Sequence, residues 1–381
     1  MTFFVHSMHY HPYPKPISRL LGDLIGGISK SKTGVIVFTA RFGQKATPVA
    51  GEKIVRIPNL GRLSEYFPLK LLDYLSFYMF SFLASLWFRI FYRSPASIYR
   101  SGFGISTFFA FLTVKLFKGQ VYFWVLDRYP DILFENRLIK NGKLFKILKK
   151  TEIVFQRNFS GIIFETKSDQ KDYLLNKGGL NSTQISTWSE EVKGMPLKQP
   201  DFWVEKALNF RKVFLFSGNI STSVDLDAMI DFFAKRPEST LLILGEGSEK
   251  ARLVSIIQAR CLDNILVYKF QEDAVYRFLL KNSEFGIVSL KQDVSIFSSK
   301  LTSYISAGLP ILAFISKNNE MADLILNNKC GYVLSKGVSS YQNIRLKKNN
   351  ALIINSESLA QEFSRDYAVL KFLQFLGISE H

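Results

Sequence analysis

Apolar and polar positions alternate along this chain in two textures. Short continuous apolar runs occupy Phe3–Met8, Gly34–Thr39, Lys53–Ile57, Ser97–Ser101, Gln120–Asp127, Gly161–Glu165 and Gln184–Trp188. Helix-length segments lie between most of them, including Ile17–Ser29, Leu69–Tyr92, Ile105–Phe117 and Leu133–Lys150. A break at Glu190–Asp201 carries Gly194, Pro196 and Pro200. The alternation then restarts with Val213–Ser217, Thr240–Leu244, Ile265–Lys269, Phe285–Leu290, Ile311–Ile315 and Tyr332–Leu334. Continuous apolar strands between helices predict parallel sheets buried on both faces. Two such series predict two doubly wound α/β domains, over 1–192 and 193–355, followed by a terminal helix at Ser356–Leu376 capped by Ser356 or Ser358. In open α/β sheets the ligand sits beyond the carboxyl ends of the strands. That rule selects Tyr10–Arg19, Asp127–Pro130, Ser217–Ser221, Gly245–Ser248, Lys269–Asp273 and Gln292–Ser299. Domains with such faces opposed would enclose a cleft suited to a two-substrate enzyme.

Composition narrows the classes. The 381 residues are 47% hydrophobic, too apolar for a disordered chain, and the length suits two domains. Cys261 and Cys330 form no metal-ligand spacing and no disulfide framework, so a reducing compartment fits. Lys plus Arg exceeds Asp plus Glu by 49 to 32, a formal charge of +17. Such an excess points to nucleic acid, an anionic membrane or an anionic small substrate. Nucleic acid is the weakest of these, because the aromatic residues sit in apolar runs rather than among basic stripes. The N-terminal residues lack the basic start and apolar core of a signal peptide. In Leu71–Tyr92, Asp73 and Arg89 leave only about fifteen residues free of charge, and Ser76, Ser81 and Ser85 interrupt them. This segment reads as a buried or interfacial helix. Arg137–Arg157 holds seven basic residues against Glu152 alone. On a helix Lys143, Lys146 and Lys150 share one side, with Leu144, Phe145 and Leu148 on another, a pattern suited to anionic lipid or to plain solvation.

Four constellations carry candidate chemistry. Gly218-Asn219, directly after an apolar run, lets backbone approach a phosphate; the alternative is a tight turn with Ser221 or Ser223 as cap of the next helix. Gly245-Glu246-Gly247-Ser248 resembles a dinucleotide turn without its third glycine and reads as a turn with a serine cap. Ser298-Ser299-Lys300 opens a helix that ends at Gly308-Leu309-Pro310, so N–H groups and an ammonium are placed for a phosphate. Asp127-Arg128 ends an apolar strand, poised over the expected ligand site or closing a turn as an ion pair. Asp225-Leu226-Asp227 is not a metal motif, since residues two apart on a helix do not share a face. His6, His9 and His11 form no zinc motif.

The order of these pieces resembles the retaining nucleotide-sugar glycosyltransferases of family 4, with the GT-B fold, and within them the branch that builds bacterial O-antigen, capsule or exopolysaccharide. Asp127-Arg128-Tyr129-Pro130 is similar to the family's strand-end motif. Gly218-Asn219, Gly245-Glu246-Gly247, Ser299-Lys300-Leu301 with Tyr304, Ala307-Gly308-Leu309-Pro310 and Asn328-Lys329-Cys330-Gly331 are similar to its donor-side blocks. The chain departs from it in carrying Ser295 and Ser303 where many members have two glutamates, and Thr187 where an Asn precedes Trp188. The resemblance implies sugar transfer from a nucleoside diphosphate with retention, without a metal or other cofactor. Gly218, Asn219, Ser299, Lys300, Ser303 and Tyr304 would bind the donor. Arg19, Asp127 and Arg128 would face the acceptor, and Asp127 and Lys300 would act in catalysis. The implied acceptor is a sugar on a polyprenyl diphosphate. The implied location is the cytoplasmic leaflet of the membrane, with Lys143, Lys146 and Lys150 on the lipid. A weakly active or inactive scaffold subunit is the alternative raised by Ser295 and Ser303.

Overall fold

The computed structural model describes the chain except for residues 1, 14–15, 42–47, 49–50, 61–66, 93–94, 103, 136–138, 141, 177–180, 190–193, 209–210, 292–296, 336–345, 347 and 379–381. It divides into two compact units. One comprises Met1–Ser186 with Ala368–His381, and the other Thr187–Tyr367.

The first unit contains β1 (Thr2–His6), α1 (Pro16–Lys30), β2 (Gly34–Ala40), β3 (Lys53–Ile57), α2 (Phe67–Phe91), β4 (Ala96–Arg100), α3 (Ile105–Phe117), β5 (Val121–Val125), α4 (Asp131–Glu135), α5 (Lys143–Gln156), β6 (Gly161–Phe164), α6 (Lys167–Leu175) and β7 (Ser182–Gln184). Its sheet has the order β3-β2-β1-β4-β5-β6-β7, with every pairing parallel. All residues of β4, β5 and β6 are buried, whereas the edge strands β3 and β7 are only partly so. Two-sided burial is why these strands read as unbroken apolar runs.

The second unit contains α7 (Asp201–Glu205), β8 (Lys212–Ser217), α8 (Leu226–Ala234), β9 (Ser239–Leu244), α9 (Lys250–Ala259), β10 (Ile265–Tyr268), α10 (Asp273–Asn282), β11 (Phe285–Ser289), α11 (Ser299–Ser306), β12 (Ile311–Phe314), α12 (Glu320–Asn327), β13 (Gly331–Leu334) and α13 (Asn350–Ala360). Its parallel sheet runs β10-β9-β8-β11-β12-β13. The last helix, α14 (Arg365–Phe375), completes the first unit. Its Phe372 ring meets Trp124 edge-on at 4.9 Å between centroids, and Gly27 of α1 leaves room for Val369, whose Cγ1 would lie 2.3 Å from an added Cβ.

Two expected helices are each divided. Leu133–Lys150 becomes α4 and α5, with Gly142 in an extended conformation at the α5 N-cap. Ser356–Leu376 becomes α13, a 3-10 turn at Gln361–Phe363, and α14. The cap of α13 is Asn349, whose side chain accepts from the Leu352 N–H, while Ser356 is buried within the helix. Ser364 is extended and accepts from the Tyr367 N–H, which separates the two helices.

The long helix α2 turns its polar residues inward. Asp73 takes a hydrogen bond from Asn59 at 3.1 Å, Ser76 and Ser85 bond carbonyls within the helix, and Ser81 meets His6 Nδ1 at 2.6 Å. Tyr74, Phe77, Tyr78 and Phe82 join the core. The opposite face leaves Leu75, Leu83, Trp87, Ile90 and Phe91 in the open, with Trp87 63% exposed. By length and composition the stretch Pro68–Phe91 could cross a membrane; its inner face is instead part of this core.

Candidate functional site

The strand order reverses between β8 and β11, the position where open α/β sheets bind ligands. Beyond β8 the chain enters Gly218-Asn219-Ile220, and a second glycine turn beyond β9 locks against it. Gly218 N–H donates to the Leu244 carbonyl at 2.9 Å, and Ile220 N–H to the Glu246 carbonyl at 2.8 Å. A Cβ at Gly245 would lie 2.1 Å from the Gly218 oxygen, and one at Gly247, where φ is +154°, 2.3 Å from the Ile220 oxygen. Glycine is required on both sides because two backbones pass in contact.

Lys300, in the first turn of α11, lies against this loop. A Cβ at Gly218 would fall 2.7 Å from Lys300 Cε and 2.9 Å from Nζ. The ammonium sits over the Phe216 ring at 4.0 Å and makes no hydrogen bond or ion pair among the described residues. Burial pulls its pKa down to about 8. A half-buried cation that pairs with no carboxylate among the described residues, beside a glycine loop at the switch point, has the chemistry to take an anion such as a phosphate.

Other expected donor residues divide around it. Asn219 and Ser299 are exposed at the loop and at the start of α11. Ser303 is half-buried beside Tyr276, which burial raises to about 12. Tyr304 does not reach a ligand position. Its ring is fully enclosed beneath Gly286, and its hydroxyl donates to the Leu215 carbonyl and accepts from the Ser217 N–H, both at 3.1 Å. It anchors the end of β8 instead. The serine caps are also replaced. Asp225 caps α8 through the Ala228 N–H, Ser221 and Ser223 bond each other, and α9 starts at Glu249 without a side-chain cap. Ser295 lies outside the described residues.

On the first unit, Asp127 follows β5, with its N–H bonded to Ser101 Oγ at 3.1 Å. It borders a cavity shared with Tyr129, Glu152, Ile153, Tyr173 and the apolar face of β5. Arg128 is not available to an acceptor, because it is held by Asp169 at 2.8 Å, Asp172 at 3.0 Å and Asp131 at 3.4 Å. Arg19 lies in the first turn of α1, 3.8 Å from Asp23. Glu152 accepts from Thr107 at 2.5 Å and Gln156 at 3.0 Å, and burial nevertheless raises its carboxyl to about 7.

The sequence reading missed Arg100. It ends β4 and is 8% exposed, and its Nε has no partner. Burial works against its charge, but Tyr74, Tyr78, Asp127 and Tyr129 together hold it above the ordinary arginine value. The available signal was a lone arginine closing an apolar strand.

Helix α5 is turned differently from its sequence pattern. Phe145, Lys149, Glu152, Ile153 and Gln156 face the unit, while Leu144, Ile147, Leu148 and Val154 are exposed with Lys143, Lys146 and Lys150. Both leucines, Leu144 and Leu148, are therefore exposed with the lysines, and only Phe145 of the expected apolar side turns inward. The inward polar residues bond to neighbours, Lys149 to Asp131 and Glu152 to Thr107. That satisfaction lets the apolar residues point out. Helix α3, packed against both α2 and α5, adds exposed Phe108, Leu116 and Phe117.

Comparisons with known proteins agree with this geometry. Residues 198–365 match the family described as Glycosyl transferases group 1. The chain is 30% identical over 102 residues to the putative colanic acid biosynthesis glycosyl transferase WcaI of Escherichia coli (strain K12), a match covering 26% of this chain and about a quarter, 25%, of that protein. Among solved structures, sucrose-phosphate synthase from Thermosynechococcus elongatus superposes with a TM-score of 0.72 at 12% identity, over 99% of this chain and 98% of that one. WaaG, a glycosyltransferase involved in lipopolysaccharide biosynthesis, gives 0.62 at 12% identity over 100% of both chains. The chain thus has the GT-B fold of two Rossmann-like α/β domains, and its residues 198–365 are similar to the glycosyl transferases group 1 family.

Proposed function

We propose that this protein transfers a sugar from a nucleoside diphosphate to a hydroxyl of a lipid-linked sugar acceptor, with retention at the anomeric carbon, in the synthesis of a bacterial surface polysaccharide. The observation that carries the reading is Lys300, an ammonium with no ion pair among the described residues, beside the interlocked glycine loops. The donor diphosphate supplies the missing anion. As the anomeric C–O bond breaks, negative charge grows on the leaving diphosphate. Lys300 and the Asn219 N–H are in place before the reaction and stabilise that charge without reorganisation, while the Gly218 N–H is spent on the Leu244 carbonyl and holds the loop. The account gives this task to protein groups and not to a metal ion. A bond forms to the acceptor oxygen, whose proton leaves with the diphosphate. Asp127 on the first unit orients the acceptor hydroxyl. Retention and the lipid-linked acceptor rest on the family resemblance.

The same reading places the protein at the cytoplasmic face of the membrane. Its support is the outer surface of α2, α3 and α5, where apolar side chains stand among lysines; Ile147 is 60% exposed between Lys146 and Lys150. Lysines favour anionic headgroups, and the exposed leucines and aromatics gain by entering the acyl boundary. A thermal-shift panel of UDP-, GDP- and dTDP-sugars tests the donor site. One nucleotide should raise the melting temperature of the native protein and leave Lys300→Ala unchanged. Equal shifts in both proteins, or none in either, would count against it.

A further inference from the structure

Each sheet of this protein has one point where the strand order reverses. In the second unit it is β8/β11, beside Lys300. In the first it is β1/β4, and the residue closing β4 is Arg100.

Arg100 differs from the other arginine nearby. Arg128 is held by three carboxylates. Arg100 makes no side-chain hydrogen bond and no ion pair among the described residues, although it is more than nine-tenths buried. Its backbone is fixed, since Tyr78 Oη donates to the Arg100 carbonyl at 2.9 Å. Asp127 is close enough to favour its charge yet forms no ion pair with it within 4.0 Å. The Asp127 N–H is held by Ser101, the residue after Arg100, so the ends of β4 and β5 are tied together. The result is a guanidinium and a carboxylate on two strand ends whose backbones are tied, near enough to interact electrostatically without forming an ion pair. A buried guanidinium without a partner is costly to keep. Five N–H donors in a planar fork suit two oxygens of a phosphate or carboxylate.

We infer that Arg100 is the anchor for an oxyanion carried by the acceptor, leaving Asp127 beside it to take the hydrogen bond of an acceptor hydroxyl. The inference rests on the reading of the first unit as the acceptor side. It requires the acceptor to be acidic, either through a glycosyl phosphate or through a uronic acid, and it gives Arg100 the role that the strand-end motif suggested for Arg128.

The test is a binding measurement that needs neither donor nor turnover. Lys300→Ala protein, in which the phosphate site of the second unit is weakened, is titrated with glucose 1-phosphate, methyl glucuronide and neutral methyl glucoside. Binding is followed by saturation-transfer NMR. At least one anionic probe should bind, the neutral glucoside should bind at least tenfold more weakly, and adding Arg100→Gln should weaken the anionic probe at least tenfold. The stronger of the two anions identifies the source of the charge. Equal binding of all three probes, no binding, or no loss on Arg100→Gln would overturn the inference. Arg100→Met supplies an independent reading. Because no partner is lost, its melting temperature should stay equal or rise, and a fall of several degrees would make Arg100 structural. A failed donor panel together with intact probe binding would overturn the transferase reading and leave this site standing.

Discussion

Replacing Lys300 by methionine should stabilise the second unit and abolish its response to nucleotide. The magnitude follows from the site. Burial lowers the lysine pKa from 10.5 to about 8. That difference corresponds to roughly 3 kcal/mol by which the fold disfavours the ammonium at neutral pH. Contact with the Phe216 face returns about 0.5–2 kcal/mol. The net gain for Lys300→Met is then about 1–2 kcal/mol, since methionine keeps most of the apolar stem and drops the charge. The pH dependence has a fixed sign. The unfolded chain holds this proton more tightly, so the cost is fully present below about 8 and disappears as pH climbs towards 10.5. The stability difference between variant and native protein should therefore shrink over that window. The two units need not unfold together, so hydrogen exchange of peptides spanning β8 and β9 in urea is the suitable assay. Greater exchange protection in the native protein at pH 7, or nucleotide protection that survives Lys300→Met, would refute the argument.

Other outcomes follow from the same geometry. Nucleoside diphosphate affinity should weaken about tenfold per unit above about pH 8, as Lys300 loses its proton; calorimetric titration with UDP, GDP and dTDP between about pH 7 and 10 measures this. Tyr304→Phe should cost about 1–3 kcal/mol in denaturant unfolding, because the Ser217 N–H and the Leu215 carbonyl lose their partner, while nucleotide affinity changes by less than about threefold. Replacing Lys143, Lys146 and Lys150 together by alanine should weaken sedimentation with phosphatidylglycerol vesicles on the order of 10²-fold, at about 1 kcal/mol per lysine, and Leu144→Asn with Ile147→Asn should weaken it further. Binding unaffected by either set would remove the membrane face from the account.

The central strands were legible because burial on both faces writes each of them as an uninterrupted apolar run. Among the described residues each strand overlaps an expected run, but β7 does so only at Gln184, since the strand is the polar, half-buried Ser182–Gln184 at the sheet edge. The glycine loops and Lys300 were legible for a related reason, since close backbone contact admits only glycine and the lysine opens a helix. Helix orientation was not. In α5, periodicity puts Lys143, Lys146 and Lys150 on one side and Leu144, Phe145 and Leu148 on another, but Glu152 and Lys149 find partners within the unit and occupy the inner face, leaving Leu144 and Leu148 exposed with the lysines. Tyr304 looked like a ligand contact because its place in the α11 block is conspicuous in sequence, whereas only the fold shows its hydroxyl committed to the end of β8. Arg100 and Arg128 both follow apolar strands. What distinguishes them is which carboxylates the tertiary structure brings near, and Asp169 and Asp172 are more than forty positions away from Arg128 in sequence.

The central claim is that Lys300 and the glycine loops hold the leaving diphosphate of a sugar donor. It is tested most directly by transfer of radiolabelled sugar from UDP-, GDP- and dTDP-linked donors into a lipid acceptor fraction extracted from bacterial membranes. The account predicts label in the lipid from one donor, and a loss of ~10²-fold or more in turnover with folded Lys300→Ala. Unchanged turnover in that variant would contradict it.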